Sequence, residues 1–259
     1  KRIRKSVDYS KCTQEDLIEI KNCIINGVFG SEIIAFPYYL SEVNILLQLT
    51  PIIKQIIKND HTQEPFQGKF TLGLLHENAL KLYSESDNKV ISTQKTDYKK
   101  GSSDSEYLID KPKSEKANVF SLIKNEKLFD YCVSNPPYIG ESGHKELFRN
   151  TISEIPYWKK HYQGKMDYLY WFIMLAISKL KPGGKLGFIT TSYWLTADGA
   201  EKVRKMILEK TVIKEMIFFG QVKLFKDAQG QNSLIFILEK EDDEKKRNEN
   251  NFKVVKFLR

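Results

Sequence analysis

Phe129-Asp130-Tyr131-Cys132-Val133-Ser134-Asn135-Pro136-Pro137-Tyr138 is an apolar-rich run that stops at a rigid turn. Aromatic and β-branched residues suit a pleated, half-buried surface, so residues 129–133 read as a strand. The prolines fix φ and confine each preceding residue to extended geometry, which stiffens the strand's end. There the Asn135 side chain and the Pro136 backbone each offer a carbonyl oxygen as a hydrogen-bond acceptor. Two acceptors at set positions match the two N–H bonds of an exocyclic amine on a planar ring, a nitrogen whose delocalised lone pair makes it a poor nucleophile. Tyr138 adds an aromatic face on which such a ring can stack. Asn135, Pro136, Pro137 and Tyr138 are therefore the candidate catalytic set, although the same composition also makes ordinary turns.

On both sides of this strand the pattern alternates between helix and strand. Upstream, Thr13 as N-cap with Asp16 three residues on, and Leu17, Ile20 and Ile24 at helical spacing, predict a helix over residues 13–26. Residues 28–33 read as a short strand ending in the acid Glu32, followed by a helix over 37–57 that Pro51 is expected to kink. Residues 70–75 suit the next strand, leading through His76-Glu77-Asn78-Ala79-Leu80 into a short helix. From 84 to 118 the periodicity lapses into Lys, Ser and Asp, the pattern of a solvated surface insertion.

Downstream, residues 139–164 read as loop-rich and 168–180 as a buried helix stopped by Lys181-Pro182-Gly183-Gly184. Strands are expected over 185–190, 213–219 and 233–239, and a helix over 197–210. A last strand over 252–258 is expected to pair beyond the charged turn that opens residues 241–259. Such alternation predicts an α/β fold, a mostly parallel sheet with helices on both faces and ligands at the carboxyl ends of the strands.

Composition narrows the function classes. At 259 residues with 41% hydrophobic content the chain can bury a sizeable core. A net charge of +8 suits a polyanionic partner, while 41 basic against 33 acidic residues make a mixed surface and not a basic tail. Cys12, Cys23 and Cys132 and the scattered His61, His76, His144 and His161 lack disulfide or zinc-ligand spacing, so no metal site is indicated and a reducing cytoplasm fits best. The apolar stretch 168–177 is too short to span a bilayer, so no membrane role is readable.

The residues Gly30-Ser31-Glu32-Ile33, Glu77-Asn78-Ala79-Leu80, Asn135-Pro136-Pro137-Tyr138, Asp167-Tyr168-Leu169-Tyr170 with Lys181-Pro182-Gly183-Gly184, and 220–225 occur in an order that resembles the S-adenosylmethionine-dependent adenine-specific DNA methyltransferases. The resemblance is strongest to their gamma group, including the modification part of type IIG restriction-modification enzymes, and covers roughly residues 27–240. It implies a Rossmann-like methyltransferase fold with an antiparallel last strand, and methyl transfer from S-adenosylmethionine to the amine of a flipped adenine. It further implies cofactor contacts from Glu32 to the ribose hydroxyls, from Ile33 to the adenine ring, and from Asn78 beside Ala79, where the family usually has an acid. Substrate contacts would come from Tyr168, Lys165 and Phe225, the last stacking on the target base opposite Tyr138. Lys145, Arg149, Lys159, Lys160 and Lys165 interleave with Phe148, Tyr157, Trp158 and Tyr162, a mixture suited to phosphate contact and base stacking, and equally to a loop packed by its own aromatics.

The family's first strand and Gly-rich cofactor motif are nowhere in this chain, and Gly27-Val28-Phe29-Gly30 is not a substitute. Residues 1–259 therefore read as a partial catalytic domain, with the missing unit expected upstream or on a second chain. A target-recognition domain or nuclease is likewise expected elsewhere, if the intact protein has one. Two rival readings stand beside this one. Protein glutamine amide methyltransferases share the Asn-Pro-Pro-Tyr turn because an amide nitrogen poses the same problem, and a non-catalytic methyltransferase-like scaffold would explain the absent motif.

Overall fold

The computed structural model describes residues 8–62, 71–83, 113–125, 128–220, 222, 224 and 232–257. The chain divides into two compact units, residues 1–79 with 85–125 and residues 80–84 with 126–259.

In the first unit, helix α1 (Gln14–Gly27) opens on the expected cap: Thr13 accepts from the Asp16 N–H and Asp16 accepts from the Thr13 N–H. Leu17 packs with Ile52 and Ile56, and Ile20 and Ile24 border that cluster, so the helical spacing marks the buried face. Strand β1 (Phe29–Ser31) leads into helix α2 (Ala35–Asn59), which runs continuously through Pro51. Proline removes the N–H that would reach one turn back, and the neighbouring Thr50 hydroxyl donates to the Leu46 carbonyl at 2.8 Å. Strand β2 (Gly73–Leu75) pairs parallel to β1, with Phe29 opposite Gly73 and Ser31 opposite Leu75. Phe70, at the start of the expected strand, lies outside the described residues.

Helix α3 (Lys113–Asn125) corrects the polar insertion at its end. Residues 84–112 lie outside the described residues, but 113–118 are already helical. Their composition is that of a solvated loop, and the apolar positions that hold the helix follow only later, with Ile123 3% exposed.

The second unit is built on a five-stranded sheet of β3 (Phe129–Ser134), β4 (Leu180–Thr191), β5 (Thr211–Gly220), β6 (Ser233–Lys240) and β7 (Lys253–Lys256). Its order is β3-β4-β6-β5-β7. β3 runs parallel to β4 and β7 parallel to β5, while β6 is the antiparallel strand between β4 and β5. With the parallel β1–β2 pair, the molecule is a mixed α/β fold whose strand pairs are mostly parallel. Along β4 and β6, Leu186, Phe188, Leu234, Phe236 and Leu238 are buried at every second position, the period of a strand with one face on the core. The Lys181-Pro182-Gly183-Gly184 segment lies within β4, with Gly184 so close to β3 that a Cβ there would sit 2.8 Å from the Phe129 carbonyl.

Helix α4 (Lys145–Glu154) and a 3-10 helix (Pro156–His161) occupy the stretch expected to be loop-rich. The exposed charges of α4 hide a single buried stripe, in which Phe148 and Thr151 sit at i, i+3 spacing. Helix α5 (Leu169–Lys179) is apolar around most of its circumference and buried accordingly. Helix α6 (Glu201–Lys210) and the short α7 (Glu244–Asn248) complete the unit. β3 lies at the edge of this sheet, and its Tyr131 and Val133 are 76% and 84% exposed.

Candidate active site

The turn after β3 is held from beneath and open above. Pro136 is buried, Asn135 and Pro137 are exposed, and Tyr138 is half-buried. The Tyr138 hydroxyl lies 2.6 Å from Asn135 Oδ1 and 2.9 Å from the Ile189 carbonyl on β4, positioned to donate to either. Among the described residues no backbone N–H donates to the Pro136 carbonyl. Burial, with the nearby Asp167 charge, pushes the Tyr138 phenol up, so it keeps its proton at neutral pH.

Asp167 is a residue that sequence reasoning did not assign. Its Oδ1 accepts from the Ile139 N–H at 3.2 Å and the Leu169 N–H at 3.0 Å, clamping the turn to the start of α5. Backbone bonds from Tyr168 to the Ile139 carbonyl and from Glu141 to the Met166 carbonyl, each 2.9 Å, close the same junction. An Asp two residues before an apolar helix is a capping signal, and it was legible on that ground alone.

Burial raises the Asp167 carboxyl above its ordinary 3.8, against the lowering by its two N–H donors. A carboxyl with a raised folded-state pKa loses stability on ionising: the loss is absent below 3.8 and complete once pH has risen through the folded value. Asp167→Asn keeps an acceptor for both N–H groups and removes the charge. It is expected to match the wild-type melting temperature below pH 3.8 and exceed it at pH 7. Asp167→Ala leaves both donors unmet and is expected to cost about 1–3 kcal/mol at either pH. Thermal melts across this range check both outcomes.

Glu141 was also missed. Its carboxylate accepts from the Tyr162 hydroxyl and, at 2.6 Å, from the Lys165 N–H. Lys165 adopts φ 63, a left-handed conformation that few non-glycine residues hold unaided. Gly199 packs against it so closely that any Cβ would overlap the Lys165 carbonyl. The Lys165 side chain is exposed. Lys202 donates to the Lys160 and Tyr162 carbonyls at 2.7 and 2.8 Å, closing the end of the 3-10 helix.

Tyr168 is 5% exposed, edge-on to Phe148 and Trp171, with its hydroxyl 2.9 Å from that of Thr151. Its place is in the core beside the site. Phe225 lies outside the described residues.

In the first unit, Glu32 and Asn78 follow the carboxyl ends of the parallel strands β1 and β2. The Glu32 carboxylate accepts from the Ile34 N–H at 2.9 Å, and its backbone carbonyl accepts from the Glu77 N–H at 3.1 Å. The Ser31 hydroxyl donates to the Glu77 carbonyl, and Glu77 Oε1 accepts from the Asn78 N–H. Ile33 is 64% exposed beside this half-buried carboxylate. Asn78 and Ala79 are half-buried. Among the described residues no group of His, Cys, Asp and Glu could hold a metal ion, and no helix is long and apolar enough to cross a membrane.

Parallel strands ending in a carboxylate and in an amide and phenol pair define an α/β protein with its polar groups where such sheets bind ligands. The chain belongs to the Eco57I restriction-modification methylase family, whose model matches residues 26–225. It is similar to the Type II methyltransferase M.HincII of Haemophilus influenzae, 32% identical over 97 residues that make up 38% of this chain and 19% of that protein. It is also similar to the Type II restriction enzyme and methyltransferase RM.Eco57I of Escherichia coli, 31% identical over 129 residues, 49% of this chain and 12% of that protein. The matched segments thus span less than a fifth of either relative. Among solved structures, the Type ISP restriction-modification enzyme LlaGI, in complex with a DNA substrate mimic, matches with TM-score 0.55 and 14% identity over 97% of this chain and 20% of its own. The Type IIL enzyme MmeI in complex with DNA matches with TM-score 0.50 and 15% identity over 85% of this chain and 25% of its own. These likenesses establish the methyltransferase fold. S-adenosylmethionine is the methyl donor of this methylase class.

Proposed function

We propose that the protein methylates the exocyclic amine of adenine in DNA as the modification part of a restriction-modification system. The observation that carries this reading is the turn after β3, where an exposed Asn135 amide sits within reach of a phenol and next to a Pro136 carbonyl that no described backbone N–H engages. Asn135 Oδ1 and the Pro136 carbonyl would accept the two amine N–H bonds and stabilise the positive charge that grows on nitrogen. Tyr138 would stack on the flipped base. No general base is needed, since the proton leaves to water after the methyl has arrived. The donor, when bound, supplies an electrophilic sulfonium methyl. Glu32 fits its ribose, because one carboxylate oxygen is already oriented by a backbone N–H, and the exposed Ile33 fits an adenine face. Asn78 beside Ala79 would contact the donor's adenine amine. Family membership supports the choice of DNA, as do the DNA complexes of LlaGI and MmeI.

Lys145, Arg149, Lys159 and Lys165 are exposed on and around α4 and the 3-10 helix, a placement that supports phosphate contact. Phe225 would stack on the base opposite Tyr138, and Tyr168 would support the site from the core. The upstream segment or second chain carrying the Gly-rich motif stays part of the proposal, supported by the exposed Tyr131 and Val133 on edge strand β3. The test is calorimetric binding of S-adenosylmethionine by this chain and by a form extended upstream, followed by labelled methyl transfer to adenine-containing DNA and to a glutamine-bearing protein substrate. Binding by the longer form and label in DNA support the reading. Label in protein alone selects the glutamine rival, and binding by neither form leaves a scaffold.

A further inference from the structure

The Tyr138 hydroxyl carries one proton and faces two acceptors, Asn135 Oδ1 at 2.6 Å and the Ile189 carbonyl at 2.9 Å. It can serve one at a time. When the proton lies toward Asn135, the amide oxygen is held by the phenol and the Asn135 amino group points to the open side. That orientation would present N–H to an incoming amine, donor against donor. When the proton lies toward Ile189, the phenol oxygen is free to accept from Asn135 Nδ2, and a half-turn of the amide brings Oδ1 to the open side. The resulting chain, from Asn135 Nδ2 to the Tyr138 oxygen to the Ile189 carbonyl, is polarised in one direction, and each bond strengthens the next.

We infer that Tyr138 is a positioning residue whose hydroxyl, anchored on the Ile189 carbonyl, selects the Asn135 amide orientation that accepts the target amine. This role is separate from stacking, which needs only the ring, and it rests on the amine-acceptor reading of Asn135. The anchor is suited to the task because Ile189 is held in the sheet near the carboxyl end of β4, where β6 pairs with it as Ile189 opposite Ile235. The phenol is half-buried and stays protonated, so the switch is one of direction and not of ionisation.

Tyr138→Phe keeps the ring and removes the selector. In the intact protein it is expected to lower kcat for methyl transfer to adenine-containing DNA by about 10-fold, the equivalent of one neutral hydrogen bond, with KM unchanged. In an Asn135→Ala background the same change is expected to have no further effect, since the hydroxyl then has no amide to orient. Full kcat in Tyr138→Phe, or an equal fall in both backgrounds, would overturn the inference while leaving the proposed function intact. A readout free of catalysis covers the case in which wild type transfers no methyl to DNA and the functional reading itself fails. In ¹⁵N spectra the Asn135 side-chain amide, identified by its loss in Asn135→Ala, is expected to move in Tyr138→Phe while the backbone amides of β3 and β4 stay in place. An unmoved side-chain amide would count against the inference whatever the activity.

Discussion

Asn135→Ala is expected to slow methyl transfer by about 10²–10³-fold, the effect of removing one preorganised polar group from a developing charge, roughly 2.7–4 kcal/mol of barrier. The side chain is exposed at the end of β3 and accepts from the Tyr138 hydroxyl, which retains the Ile189 carbonyl when the amide is gone. Stability is therefore expected to stay within about 0.5 kcal/mol of wild type, the usual range for a surface change that breaks no buried contact. The fall should appear in single-turnover transfer with donor binding unchanged, because the group acts on the amine and not on the cofactor. A variant that methylates at the wild-type rate would remove the acceptor role, and a variant that fails to fold would show that the turn is structural.

Trp158→Ala is expected to be the most damaging change to the second unit, at about 3–5 kcal/mol. The side chain is fully buried and its indole N–H donates to the Leu80 carbonyl at 3.1 Å. Its ring meets those of Tyr83, Tyr157, His161 and Trp171 at centroid distances of 5.6, 4.9, 5.9 and 6.0 Å. Truncation opens a cavity among these rings and removes the indole hydrogen bond to Leu80. Urea unfolding should show a lower midpoint with an unchanged slope. Lys159 and Lys160 follow directly in the 3-10 helix, so a weakened anchor is also expected to reduce DNA affinity, more at low salt than at high, with a shallower salt slope.

The strands and the apolar helices were legible because their periodicity is strong: Leu17, Ile20 and Ile24 mark the buried side of α1, and alternation along β4 and β6 marks the sheet's covered face. The helices α3 and α4 were not, since short helices with one narrow buried stripe carry the composition of a loop. The Asn-Pro-Pro-Tyr turn could be read because proline sterics set its backbone locally, while its anchors at Asp167 and Ile189 come from the fold. Beyond the local cap on Leu169, Asp167 and Glu141 could not be given their partners, because what they bind is backbone brought close by the fold: Ile139 for one, Lys165 for the other. Trp158 read equally well as a base-stacking ring or as packing, and the contact that separates the two, with a carbonyl 78 residues away, has no local signature.

By itself the sequence determined the α/β class, the position of the Asn-Pro-Pro-Tyr turn and the strand-end acid, all of which follow from short-range rules of periodicity, proline geometry and side-chain chemistry. Only the tertiary structure decided that Tyr168 packs in the core, that Lys165 is held in a left-handed conformation by Glu141 and Gly199, and that one phenol proton stands between Asn135 and Ile189. Each of these depends on residues distant in the chain meeting at hydrogen-bond or van der Waals range. That is a property of how elements pack, and no local pattern encodes it.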